Sequence, residues 1–323
     1  MKFFRPAASL LQDQSFQWTW LSLVGPDARD FLHRLSTVQV KALGVGEGAP
    51  GCFLTPQGKL RASFQLWRSA AESFDFEFDA GREGSWKKEI LSFIDQYTFS
   101  ERMSVVEPGP DSGCLWLFPE ASELAQLGID ETRAGHLVQL GTGLRVGVQR
   151  SSEFGRIWLT LWGTMASVDA YLKEHFPTAS GLKAEEVNLW RILQLRPRVG
   201  FELVEGAAPL EIGMRNFIAD QKGCYPGQEV IEKIISIGSP PRRLVRIETQ
   251  GSAPQAGEPL LAQEGQTEIG VVTSVSCSRE NQFQVLALVK KMFAKEGEKF
   301  RFSSSPEKTA LIVQIAPYES SQL

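Results

Sequence analysis

Cysteine and histidine are scarce in this chain, at 4 and 3 of its 323 residues. Cys52, Cys114, Cys224 and Cys277 stand far apart, with no C-x-x-C pair among them. Zinc sites are built from closely spaced ligand pairs, and His33, His136 and His175 do not supply them, so no self-contained metal site is expected. Few, scattered cysteines also argue against a disulfide scaffold and fit a reducing compartment, taken here as the cytoplasm. No apolar run approaches the ~18 residues a membrane helix needs. The opening MKFFRPAASLLQ has a short, Pro-interrupted apolar stretch without a cleavage pattern and reads as mature sequence. Basic clusters are missing too: the net charge is −4 and the densest basic spot is Arg242-Arg243 after Pro241. Neither nucleic acid nor a membrane is therefore an expected partner.

What is present is an ordinary globular composition, 42% hydrophobic and 22% charged, in a chain long enough for more than one domain. Residues 16–25 (FQWTWLSLVG) read as a strand, and residues 26–35 (PDARDFLHRL) as a helix with proline at its first position. Ala28, Phe31, Leu32 and Leu35 form the apolar stripe of that helix, which leaves His33 as a surface residue. Residues 51–68 read as a β-hairpin turning at Thr55-Pro56-Gln57-Gly58. Gly58-Lys59 is not a phosphate loop, because the upstream glycine is misplaced and Leu60 stands where Ser or Thr should be. In SFDFEFDA (73–80) the phenylalanines predict a packed face, and Asp75, Glu77 and Asp79 a solvated one. A helix is expected around Ser85–Gln96. GTGLRVGV (141–148) lacks dinucleotide-loop spacing. Then come a strand over 156–163, a helix over 164–176 and a largely apolar, internal helix over 184–195 that Pro197 ends. After Pro240-Pro241 the texture changes to short β-rich runs, the pattern of a small barrel or sandwich over 241–317.

The stretch DQKGCYPGQEV (220–230) carries the candidate chemistry. Val230, Ile231, Ile234 and Ile235 mark one face of a short helix with Pro226 at its start. Cys224 then lies just before a helix N-terminus, where free N–H groups favour a thiolate, and Lys222 acts in the same direction. Equally, Cys224 is a small buried residue in a Gly-rich turn, since free cysteines are often buried and inert. Lys222 taken alone is an ordinary solvated surface charge. The residues leave both readings of the cysteine open.

Lys222-Gly223-Cys224-Tyr225-Pro226-Gly227-Gln228-Glu229 resembles the K-G-C-Y-x-G-Q-E signature of the YgfZ family. These are folate-binding relatives of the glycine-cleavage T-protein, and they include the mitochondrial assembly factor for 4Fe–4S proteins. Residues 23–37, 54–68, 191–202 and 209–211 are similar to other segments of that family, in its order. The resemblance implies an α+β fold of ferredoxin-like subdomains around a central folate-sized opening, with a C-terminal all-β barrel. It implies a folate-binding region over 1–240 and a barrel domain over 241–323. Cys224 and Lys222 are implied as the reactive residues, and Gly223, Tyr225, Gly227, Gln228, Glu229, Arg196 and Arg198 as contacts for tetrahydrofolate. The partners implied are the iron–sulfur assembly machinery or client 4Fe–4S enzymes.

Two departures separate the chain from true aminomethyltransferases. Those enzymes carry an acidic residue in the hairpin, whereas GKLRASFQL (58–66) has none, so one-carbon transfer would lack its carboxylate. Arg198 also stands where T-proteins place a glutamate. A guanidinium cannot accept hydrogen bonds from pterin N–H groups, although it can meet a ligand carboxylate. A folate-linked assembly factor is thus the expected function, with a one-carbon transferase or a scaffold without folate as alternatives.

Overall fold

Phe74, Phe76 and Phe78 lie in an aromatic core. In the computed structural model, which describes residues 1–5, 17–126, 135–139, 143–150 and 157–317, they belong to strand Ser73–Asp79. Residues 6–12 of the opening stretch and Gly141-Thr142 of the glycine-rich run fall outside the described residues. The strand is the middle of a five-stranded sheet in the order Gly48–Leu54, Leu60–Ala70, Ser73–Asp79, Trp18–Val24, Ser104–Val106. Helices Ala28–Leu35 and Ser85–Tyr97 pack against it. Phe93 of the second helix stacks on Phe53 at 4.3 Å between ring centroids, and Phe64 meets Phe76 edge-on at 4.9 Å. Each such aromatic contributes about 2 kcal/mol by burial. Helix Ala28–Leu35 buries the four residues of its apolar stripe, but it starts after Pro26, with Asp27 as N-cap.

Asp75 and Glu77, expected on a solvated face, are 0% and 1% exposed. A second sheet covers them. Its order is Ser180–Gly181, Lys2–Phe4, Ser112–Phe118, Ile157–Thr164, Arg145–Arg150, Leu137–Gln139. Trp18 of the first sheet meets Trp116 of the second at 4.9 Å, and Trp67 meets Trp162 at 6.3 Å. Asp75 pairs with Arg145 (3.0 Å) and accepts from Ser22 (2.6 Å). Glu77 accepts from the indoles of Trp67 (2.5 Å) and Trp18 (3.1 Å), the hydroxyl of Thr160 (2.8 Å) and the amide of Gln149 (3.3 Å). Alternation does assign the residues to two faces. Both are buried because polar partners in the second sheet meet the acidic side. Helix Met165–His175, with Thr164 accepting from the Ser167 N–H at 3.2 Å, packs against this second sheet through Val168.

The chain divides into two compact units. Both sheets lie in the first, which comprises Met1–Leu54, Arg61–Ala184 and Phe217–Pro226. The second comprises Thr55–Leu60, Glu185–Asn216 and Gly227–Leu323. Its main element is a closed six-stranded barrel in the order Arg242–Gln250, Gln282–Lys290, Glu268–Arg279, Pro259–Ala262, Lys299–Phe302, Ser305–Ile315. Closure through Arg242–Gln250 and Ser305–Ile315 leaves no free sheet edge, which decides for a barrel over a sandwich. Lys299–Phe302, a strand not read from sequence, supplies Phe300 and Phe302 to the barrel core. Helix Ala184–Leu193 is less internal than expected: it buries Val187, Arg191 and Ile192, an arginine among them. No described helix is long and apolar enough to cross a membrane.

Candidate functional site

The segment that ends in Cys224 is tied down before it reaches the turn. Thr37, fully buried, donates its hydroxyl to the Phe217 carbonyl (2.5 Å) and accepts from the Cys52 N–H (2.8 Å). The Ala219 N–H donates to the Thr37 carbonyl at 3.0 Å. Lys222, expected on the surface, is 2% exposed. Its ammonium donates to the backbone carbonyl of His33, in the last turn of helix Ala28–Leu35. Carbonyls at a helix C-terminus lack intrahelical donors and carry the negative end of the dipole, so a buried cation fits there. The Tyr225 ring lies 5.1 Å from the same ammonium. Burial pushes the Lys222 pKa down to about 8, with the neighbouring Cys224 acting in the opposite direction.

Cys224 is exposed between two buried residues, Lys222 and Tyr225. Cys52 and Cys114 are buried, and burial pushes both thiols far up, which removes them as nucleophiles. Cys277 is exposed as well, with its thiol on the Arg279 carbonyl (3.0 Å) in a barrel hairpin. His33 is half-buried, its Nδ1 has no hydrogen-bond partner, and burial followed by Lys222 lowers its pKa. The Lys222 ammonium beside it thus disfavours the protonated imidazole. His33 was read as a surface residue, and only the pairing of distant segments reveals this neighbourhood.

The helix after the turn is Gln228–Ile237, with Gly227 as its N-cap at φ 81°. Pro226 thus precedes the cap, and Cys224 is not adjacent to the helix start as expected. Gly227 is required for two reasons: its left-handed backbone, and a close approach in which a Cβ would lie 2.5 Å from the Thr55 carbonyl oxygen. Gln228 hydrogen-bonds to Glu232 (2.5 Å), and Glu229 is exposed. Of the predicted apolar face only Ile231 is fully buried, while Val230 and Ile235 are exposed.

Arg196 and Arg198 occupy a loop after helix Ala184–Leu193. The Arg196 guanidinium lies over the Trp190 ring (5.4 Å) and that of Arg198 over Phe201 (5.2 Å). Beneath them is a buried pair that sequence did not single out, Arg191 and Glu202, 3.1 Å apart. The first unit thus groups Lys222, Cys224 and Tyr225 with His33, and the second places Arg196 and Arg198 together on one loop. Among the described residues no group of three or more His, Cys, Asp or Glu side chains is arranged to hold a metal ion.

No protein-family model matches the chain. It is 25% identical over 309 residues to a chloroplastic protein of Arabidopsis thaliana whose name assigns it provisionally to the transferases, covering 92% of this chain and 68% of that one. It is 28% identical over 252 residues to the mitochondrial iron–sulfur cluster assembly factor IBA57 of Mus musculus, covering 72% of this chain and 64% of that one. The chain thus spans about two-thirds of the length of these curated relatives. The solved structure of the glycine cleavage system aminomethyltransferase T from Bartonella henselae superposes with a TM-score of 0.78 at 16% identity, covering 98% of this chain and 86% of that one. The chain therefore has the α+β fold of the glycine-cleavage aminomethyltransferase, with a closed C-terminal barrel.

Proposed function

We propose that this protein acts in the assembly or repair of iron–sulfur enzymes, with Cys224 as its reactive group and tetrahydrofolate as its ligand, as the resemblance to the YgfZ family implies. The observation that carries the reading is the build of the turn: an exposed thiol between a lysine and a tyrosine that are both buried. Such a turn presents one nucleophile at a fixed place. Similarity to the mouse assembly factor supports the same reading. A reducing compartment suits it, because the thiol must stay free to react.

The residues fit a folate in part. Arg196 and Arg198, each over an aromatic ring, suit a ligand carboxylate. The carboxylate near them, Glu202, is committed to Arg191, Thr273, Ser274 and the Arg198 N–H, so pterin N–H groups must find other acceptors. The closing experiment is complementation. Deleting the gene should depress the activities of 4Fe–4S enzymes, and Cys224→Ala should fail to restore them; full rescue by that variant would remove the cysteine from the mechanism.

The fold itself favours a second reading, a folate-dependent one-carbon transferase. Against it stands the lack of a carboxylate in the hairpin strand Leu60–Ala70. On the adjacent strand, Asp75 and Glu77 are both taken up in buried bonds. Formation of methylenetetrahydrofolate from a methylamine donor by purified protein would favour the transferase. A third reading, a scaffold without folate, predicts no saturable binding when tetrahydrofolate is titrated.

A further inference from the structure

Arg191 and Glu202 are 2% and 1% exposed, yet their bonds run to one short loop. Arg191 Nη1 donates to Glu202 and to the Arg196 carbonyl (3.3 Å). Glu202 accepts from the Arg198 backbone N–H at 3.1 Å. The pair therefore grips the backbone of Arg196 and Arg198, the two half-buried residues whose guanidinium groups lie over Trp190 and Phe201. Leu195, just before them, sits at φ 50°, a conformation disfavoured for a leucine, and is held there by burial against Ile192, Leu244 and Leu286.

The barrel is shaped to serve the same pair. Strand Glu268–Arg279 shifts register between Val272 and Ser274, which leaves Thr273 as an extra residue. In a regular strand, Thr273 and Ser274 would point to opposite faces; a bulge re-aims one of them. Here both hydroxyls donate to Glu202, at 2.6 and 2.5 Å, while Ser274 also accepts from Arg191 Nη2 at 2.7 Å. Asn188 completes the set, accepting from Arg191 Nε (2.8 Å) and donating to the Val275 carbonyl (3.1 Å). A saturated buried network is a costly way to hold a helix on a barrel, since apolar side chains do so equally well. Apolar packing holds Leu195, but only directional hydrogen bonds fix the backbone carbonyl of Arg196 and the N–H of Arg198 that follow it.

We infer that Arg191 and Glu202 are positioning residues, which lock the 195–200 loop so that Arg196 and Arg198 receive a carboxylate of the bound ligand. This deepens the folate reading and rests on it for the identity of the ligand. The test uses the full chain with Glu202→Gln and with the double substitution Arg191→Met/Glu202→Leu. It reads urea stability, amide hydrogen exchange over 194–203, and tetrahydrofolate affinity by titration. Glu202→Gln should raise exchange in the loop and weaken tetrahydrofolate binding about tenfold, the scale of one lost charged hydrogen bond. The double variant should recover the stability of the parent but neither the loop protection nor the affinity. A double variant with parental exchange in the loop would overturn the inference, since the pair would then be replaceable packing. Should the parent protein itself fail to bind tetrahydrofolate, the folate reading falls while the exchange measurement still decides the role of the pair.

Discussion

Glu77 in the first unit and Glu202 in the second are equally buried, at 1% exposure, but they are held by different chemistry. Glu202 meets a guanidinium, two hydroxyls and a backbone N–H. Glu77 meets neutral donors, two indoles, a hydroxyl and an amide. Burial without a countercharge pushes the Glu77 pKa up to about 7, against the pull of Thr160, Trp18 and Trp67. Neutral donors satisfy the geometry of a carboxylate without a countercharge, whereas a guanidinium supplies one at the cost of desolvating a second ion.

The largest effect is expected at Glu202. Glu202→Leu leaves Arg191 buried without its counterion, and unfolding in urea should show a loss of about 3–5 kcal/mol. A loss below 1 kcal/mol would mean that water or another group reaches the arginine.

At the neutral end the prediction is a pH dependence. The folded-state pKa of Glu77 is raised above its ordinary 4.5, so the fold favours the protonated form. That contribution is complete below pH 4.5 and is lost as the pH rises through about 7. The loss amounts to at most about 3 kcal/mol across the window. Urea midpoints at pH 5 and pH 8 should therefore differ more in the parent than in Glu77→Gln, and identical differences would show that Glu77 does not titrate there. The smallest effect is expected of Thr160→Val. Removing one donor should cost about 1 kcal/mol at pH 8 and less at pH 5, where the protonated carboxyl needs fewer donors.

The same contrast shows how far the sequence could be read. Helical periodicity located Ala28–Leu35 and Ser85–Tyr97, because those helices bury one face and expose the other, and turn chemistry located the hairpin at Thr55–Gly58, whose strands are buried on both faces. The reading failed where polar side chains go inside. Asp75 and Glu77 alternate like solvated residues, and Arg191 sits on its helix as any arginine would; only partners on other elements of the fold make them interior. Lys222 failed in the same way, since its acceptor is a backbone carbonyl at the end of a distant helix. For Cys224 the residues leave open a buried, inert turn cysteine and a thiolate at a helix start; in the structure it is exposed and lies before the Gly227 cap rather than next to it.

By itself, then, the sequence determined the local elements, the β-rich C-terminal region and the segment that carries the cysteine, because side-chain period and turn chemistry act over a few residues. The tertiary structure alone decided which charges are buried, that the last six strands close into a barrel, and that one loop carries two arginines on a buried ionic anchor. The physical reason is that desolvation and its compensation depend on partners far apart in sequence, which no local pattern records.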